Sequence, residues 1–298
     1  MVEIGAVIVT FNRLEKLKKA LQAYKAQTIK LKYIIVVNNA SSDGTAEFLK
    51  EWKSYDDDIE KIVLNLPQNI GGSGGFYEGQ KLAITKDVDW IMLGDDDAYP
   101  EPNYIEGMIE YIKKAGDTCS VVCGKVLENN RYGHRCKLGN LYGEFLTLID
   151  QNEYSKKEIK IDIASYLGIV LNKDKLVRAG LVRPEYFIWH DDTEHTIRLK
   201  KGGDIVCLTD YEMIHDTENQ PNTLSWKEYY GWRNRTDIMK KHYGEQFIFW
   251  VVVMLMKALL CIIKGTSVTE AKMRINGIID GILGHMGIHD TYKPGWKA

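Results

Sequence analysis

The chain has 298 residues, of which 45% are hydrophobic and 27% charged, with a formal net charge of −2. This describes an ordinary globular protein with a real core, built as one large α/β domain or as one domain plus an appendage. The near-neutral balance leaves no average footprint for nucleic acid. Five cysteines, Cys119, Cys123, Cys136, Cys207 and Cys261, are odd in number and lack zinc spacing, so reduced and mostly buried thiols are expected. The N-terminus runs straight into a strand without the basic and apolar regions of a signal peptide, which predicts a cytoplasmic protein.

Ile4 to Thr10 is a β-branched run that predicts a buried first strand, with Phe11-Asn12-Arg13 as the loop at its carboxyl end. Leu14, Leu17, Leu21 and Tyr24 have helical spacing. Tyr33 to Val37 predicts a second strand, ending in the turn-rich run from Asn38 to Thr45, and Thr45 to Trp52 predicts a helix. Lys61 to Leu66 predicts a third strand. Pro67 to Gly75 follows, with glycines at Gly71, Gly72, Gly74 and Gly75. This is neither a Walker loop nor a dinucleotide fingerprint. Its glycines would let backbone N–H groups approach a phosphate or a sugar, ahead of a helix from Phe76 to Thr85.

The fourth strand, Trp90 to Leu93, delivers three consecutive carboxylates: Asp95, Asp96 and Asp97. Adjacent carboxylates repel, a cost relieved by a cation among them. Alternation along a strand puts Asp95 and Asp97 on one side, where oxygen ligands suit Mg²⁺ or Mn²⁺ beside a substrate phosphate. The order β-α-β-α-β-α-β predicts a mostly parallel, doubly wound sheet flanked by helices, with its polar strand-end loops facing one crevice.

Tyr104 to Ala115 predicts a helix and Ser120 to Val126 a strand. Asn129 to Asn140 reads as a polar loop in which His134 is a surface histidine, and Ile161 to Leu171 as another strand pair. Pro184 to His195 leads aromatic residues into Asp191 and Asp192, ahead of a helix from Thr193. One of these acids would cap the helix while the other serves as a general base, and the aromatics, Trp189 among them, suit a sugar face. Val206 to Leu208 and Met213-Ile214 read as two strands flanking a turn, the second ending at His215, a candidate metal ligand. Arg233 and Arg235, flanked by aromatics, would bind a diphosphate or an acceptor glycan.

Phe247 to Ile263 is apolar except for Lys257, with Lys240, Lys241 and His242 before it and Lys264 after it. This fits an interfacial helix near anionic lipid, with a buried or dimerising helix as the other use. Glu270 to Leu283 reads as a glycine-broken helix and 284–298 as a loose tail.

Taken together, Val7-Ile8-Val9-Thr10-Phe11-Asn12-Arg13, Asn38 to Thr45 and Asp95-Asp96-Asp97 resemble the inverting family 2 glycosyltransferases with the GT-A fold. The resemblance covers residues 1 to about 240 and leaves 241–298 as a C-terminal helical region, membrane-associating or dimerising. Asn69 to Phe76 with Trp189-His190-Asp191-Asp192-Thr193-Glu194 look most like bacterial galactofuranosyltransferases, with dTDP-rhamnose-dependent rhamnosyltransferases sharing most of the pattern.

The resemblance implies a donor site of Thr10, Phe11, Arg13, Asn39, Asp43, Asn69, Gly71, Gly72, Asp95 and Asp96. It implies Mn²⁺ or Mg²⁺ on Asp95, Asp97 and His215. Asp192 would be the base and Asp191 would orient the acceptor, with Trp189, His190, Arg233 and Arg235 toward the acceptor or diphosphate. The implied partners are UDP-galactofuranose and a glycan or lipid-linked acceptor at the inner face of the plasma membrane, with no nucleic acid. The competing classes are a non-catalytic nucleotide-sugar or glycan-binding subunit and an NAD-binding protein, the latter disfavoured by the missing G-x-G-x-x-G.

Overall fold

A computed structural model describes the chain except residues 1, 57, 140–144, 218–223, 264–266 and 298. The amino-terminal half alternates strand and helix: β1 (Ile4–Thr10), α1 (Leu14–Lys25), β2 (Tyr33–Asn38), α2 (Thr45–Ser54), β3 (Glu60–Asn65), α3 (Gly71–Ala83) and β4 (Trp90–Asp95). Every residue of β1 and β2 is buried, as expected of parallel strands covered on both faces. These four strands pair in parallel in the order β3-β2-β1-β4. Leu17, Leu21 and Tyr24 of α1 pack with Ala6 and Ile8 on one face, while Phe76 and Ala83 of α3 pack with Val7 and Val9 on the other. The chain therefore reverses direction at β1, and the register sets Thr10 opposite Asn38 and Val9 opposite Asp95. That switch point, outside the carboxyl ends of the strands, is where an open α/β sheet forms a crevice.

The next segment runs through β5 (Ala98–Pro100), α4 (Tyr104–Ala115), β6 (Cys119–Glu128), β7 (Arg131–Gly133), β8 (Arg135–Leu138), β9 (Leu146–Leu148), β10 (Glu158–Ile161), β11 (Ile163–Ala164) and β12 (Ile169–Asn172). It continues with α5 (Lys173–Ala179), α6 (Asp191–Lys200) and β13 (Asp204–His215). β12 joins β4 antiparallel, and β6, β13 and β10 extend the sheet. β8, β9 and β11 form a small second sheet. The fold is mixed α/β around a mostly parallel central sheet, as the sequence predicts.

Several local expectations are corrected. The glycine-rich run is the first turn of α3, not a loop ahead of it. Gly71 has φ +79°, and a Cβ there would lie 2.1 Å from the carbonyl oxygen of Phe187, so the position needs glycine for both backbone and space. The two short strands expected around residues 206–214 are one strand, β13, with an irregularity between Leu208 and Glu212. The polar loop after Asn129 is largely the strands β7 and β8, and it carries Arg135, fully buried, with its guanidinium on the carbonyls of Gly124, Ser165 and Leu167.

The carboxyl-terminal part is α7 (Lys227–His242), α8 (Gly244–Ile263) and α9 (Val268–Leu283). α9 is continuous, and its glycines bring it close to α7: a Cβ at Gly277 would lie 2.8 Å from Tyr229 O, and one at Gly281 2.5 Å from Arg233 O. The expected loose tail instead packs down. Tyr292 is buried and stacks on Tyr229 with centroids 4.8 Å apart, and its carbonyl accepts from Tyr230 Oη. α8 buries Trp250 and Met254 but exposes Ile248, Phe249, Val252, Met256 and Leu259. Among the described residues no helix is long and apolar enough to cross a membrane. Lys264 lies outside the described residues.

Candidate active site

The acidic triplet lies where β4 ends. Asp96 and Asp97 are in the turn that follows, so strand alternation does not order all three as expected. Thr10 Oγ1, from the end of β1, donates to Asp96 Oδ2 at 2.7 Å. The Arg13 guanidinium bridges Asp96 Oδ1 at 3.2 Å and Asp97 Oδ2 at 2.5 Å. Asp97 is thus spoken for on one oxygen. Its other oxygen, Oδ1, is buried without a hydrogen-bond donor among the described residues and faces Nε2 of His215 at 3.5 Å. His215 arrives there because β5 pairs with β13, setting His215 opposite Ala98, and Asp216 N donates to Asp97 O.

These contacts divide the three carboxylates. Burial pushes the Asp95 carboxyl well above the usual range, and Asp97 and Asp96 push it further. Burial also carries Asp96 up to about 6 against the pull of Arg13. For Asp97, burial is outweighed by His215 and Arg13, which hold it below the ordinary carboxylate value. Asp97, with one orphaned oxygen beside an imidazole, has the chemistry of a divalent-cation ligand.

Asn39 and Asp43 both hold local structure. Asn39 Nδ2 donates to Asn69 Oδ1 and to Gly71 O, while its Oδ1 accepts from Ile70 N. It staples the β2 end to the start of α3. Asp43 accepts from Leu14 N at 2.9 Å and from Thr45 Oγ1, so one carboxylate ties down the first turns of α1 and α2. Asp43 also lines the crevice, whereas a Cβ added at Gly72 would meet no protein atom. Phe11 is exposed at the crevice edge of β1.

Across from the triplet, Asp191 and Asp192 form the first turn of α6. Three residues leading into it, Phe187, Trp189 and His190, have φ near +65°, +63° and +63°, a left-handed conformation costly for side chains of this size. The strain is held by α7. Asn234 Nδ2 donates to the carbonyls of Tyr186, Ile188 and Trp189, and Arg233 Nη2 to those of Tyr186 and Glu185. Arg233 is therefore 1% exposed and lies against backbone oxygens and the Tyr230 ring, which corrects its expected place at a diphosphate. Arg235 lies over the Trp232 ring and beside the packing of Trp189 on Gly231. His190 accepts or donates at Thr193 Oγ1, 3.3 Å away, and burial pushes its ring down to about 3, with Arg235 adding to the shift, so it is neutral.

Burial and the neighbouring Asp192 raise Asp191 to about 7. Asp192 is raised by burial as well, although Thr193 N and Oγ1 donate to its Oδ1. Asp191 is close enough to Asp95 to contribute to that group's upward shift. The two acidic sets therefore share one electrostatic environment.

The crevice beside the triplet has a volume of about 1700 Å³, and its lining includes Arg13, Asp95, Asp97, Trp189, His215 and Lys227; Asp191 and Asp192 lie behind Trp189, outside that lining. The sequence reading missed Lys227. It opens α7, lies near Arg13, Asp97 and Asp95, and makes no ion pair among the described residues. It also missed Glu128 and His134. Glu128 Oε2 is 3.0 Å from His134 Nε2, and with His215 these side chains bring possible ligand atoms within 4.8 Å of one another.

The mostly parallel sheet flanked by helices, with acids at its switch point, is of the GT-A class of fold. The chain belongs to glycosyl transferase family 2, whose profile matches residues 6–175. It is similar to the galactofuranosyltransferase GlfT1 of Mycolicibacterium smegmatis, 25% identical over 205 residues, covering 67% of this chain and 66% of that protein. It is 34% identical over 98 residues to GlfT1 of Mycobacterium tuberculosis, covering 33% of this chain and 31% of that one. The matched regions thus span just under two thirds of the first relative and about a third of the second. Among solved structures, GalNAc-T7 with UDP, GalNAc and Mn²⁺ aligns with a TM-score of 0.68 at 14% identity, covering 95% of this chain and 56% of that one. Residues 1–349 of S. aureus TarS in complex with UDP align with a TM-score of 0.60 at 14% identity, covering 94% and 80%.

Proposed function

We propose that this chain transfers galactofuranose from UDP-galactofuranose to a hydroxyl of a glycan or lipid-linked saccharide in cell-surface polysaccharide synthesis, with inversion at the anomeric carbon. The observation that carries the reading is the nearness of two unlike acidic sets, Asp191 lying close enough to Asp95 to shift it and following the crevice-lining Trp189. Arg13 and His215 hold Asp97 below the ordinary carboxylate value, while burial raises Asp191 and Asp192. The similarity to two galactofuranosyltransferases supports the sugar. dTDP-rhamnose is the alternative donor.

In this mechanism Asp192 accepts the proton of the acceptor hydroxyl as its oxygen attacks the anomeric carbon. The new C–O bond forms as the bond to the diphosphate breaks, and the leaving diphosphate takes the electron pair. Asp191 and Trp189 orient the acceptor sugar. Arg13 and Lys227 supply positive charge where negative charge grows on the leaving group. Asp97, His215 and Asp95 would hold Mn²⁺ or Mg²⁺. Such an ion, when bound, neutralises diphosphate charge as a Lewis acid.

The exposed apolar face of α8 supports peripheral contact with the inner face of the membrane, where a lipid-linked acceptor would lie. Incubating the protein with UDP-galactofuranose and Mn²⁺ without acceptor tests catalysis. Slow release of UDP that is lost in Asp192→Asn supports a transferase, and binding without any release favours a nucleotide-sugar-binding subunit.

A further inference from the structure

His215 has a second neighbour that the cation-binding reading leaves without a role. Glu128, the last residue of β6, sets Oε1 3.1 Å from Nδ1 of the His215 ring. The opposite ring nitrogen, Nε2, faces the orphaned Oδ1 of Asp97. Glu128 is itself held. Thr217 Oγ1 donates to its Oε1 at 2.9 Å, and His134 Nε2 lies 3.0 Å from its Oε2. The rings of His134 and His215 meet edge to face with centroids 4.9 Å apart.

We propose that Glu128 is the positioning residue of the cation site: with a cation between His215 Nε2 and Asp97, Glu128 accepts the Nδ1–H of His215 and so holds the Nε2 lone pair on the ion. The proposal rests on the reading that Asp97 and His215 take a divalent cation. A neutral imidazole ligates through one nitrogen only if its proton sits on the other. A carboxylate on that N–H fixes the tautomer, orients the ring and makes the ligating nitrogen more basic. At 3.1 Å the Glu128 oxygen is within reach of Nδ1, which without a cation has no aligned hydrogen-bond partner among the described residues. His134 and Thr217 complete the arrangement by holding the carboxylate from two sides.

The competing geometry puts the cation on Glu128, His134 and the Nδ1 of His215. That placement leaves Asp97 Oδ1 without a partner and separates the ion from the acidic triplet. The relay gives a partner to both orphaned atoms, Asp97 Oδ1 through the cation and His215 Nδ1 through Glu128.

The test is a Mn²⁺ titration followed by electron paramagnetic resonance, with saturating UDP, on wild type, Glu128→Ala, Glu128→Gln, His134→Gln and Asp97→Ala. Glu128→Ala should lose about 10- to 100-fold in Mn²⁺ affinity. Its metal-free UDP affinity and unfolding midpoint should stay near wild type. Glu128→Gln keeps an oxygen acceptor for Nδ1–H and should lose less. Unchanged Mn²⁺ affinity in Glu128→Ala, with wild type binding the ion, overturns the role of Glu128 alone. A large loss in His134→Gln with none in Asp97→Ala places the ion on the other three ligands and overturns the relay. A wild-type chain that takes no Mn²⁺ with UDP removes the cation reading and the relay with it.

Discussion

The side-chain amide of Asn234 donates to the carbonyl oxygen of Trp189 at 2.7 Å, and the same nitrogen reaches the carbonyls of Tyr186 and Ile188. One buried amide on α7 thus holds the left-handed turn that delivers Asp191 and Asp192. Asn234→Ala takes this donor from the carbonyls of Ile188 and Trp189, at about 1–3 kcal/mol for a buried group left unsatisfied, while Tyr186 O keeps Arg233 Nη2. The expected result is a lower unfolding midpoint together with a fall in kcat that exceeds the change in donor affinity. Loss of stability with full kcat would show that the turn does not need the clamp.

Asp192→Asn should lower kcat by about 10²- to 10⁴-fold, the usual contribution of a general base, while UDP affinity stays within a few-fold of wild type. Retained turnover would remove Asp192 as the base.

The pH profile follows from the raised carboxyl pair. The base must be ionised, so a pKa raised by burial makes activity fall at a higher pH than for a free carboxylate. Burial raises Asp192, so the acid limb of kcat/KM is expected above the ordinary carboxylate range. Asp191→Asn removes a negative neighbour and should move that limb to lower pH. A limb at about pH 4, the ordinary carboxylate range, would contradict the assignment.

In the proposed mechanism Lys227, which lines the crevice, meets the diphosphate. Lys227→Gln should weaken UDP binding about tenfold and leave uridine binding unchanged. Equal loss for both ligands, or for neither, would remove the phosphate role.

The exposed stripe of α8 predicts binding to vesicles containing anionic lipid. Val252→Glu with Met256→Glu should abolish flotation with those vesicles at unchanged secondary structure. Deleting the helix is a poorer probe, because Trp250 and Met254 pack with Trp232 and Ile238 of α7. Unchanged flotation in the double variant would reject the membrane contact.

The strands were legible wherever burial on both faces writes a continuous apolar run, as in β1, β2 and β4. The acidic triplet was legible because three adjacent carboxylates after such a strand have few structural uses. The start of α3 was not, since glycine is a poor helix former and its presence at Gly71 answers to the Phe187 carbonyl, far away in sequence. β13 read as two pieces because its pairing shifts between Leu208 and Glu212. His134 looked like a surface residue because only the β6–β7–β8 turn-back sets it against Glu128 and His215. Arg233 looked like a ligand-binding cation because composition alone cannot tell that its partners are backbone carbonyls.

The most direct test of the account is calorimetric titration of UDP and dTDP, each with and without Mn²⁺. The account predicts Mn²⁺-dependent binding of UDP in preference to dTDP, lost in Asp97→Ala. Preference for dTDP would replace the donor, and binding of neither nucleotide would contradict the assignment of the crevice itself.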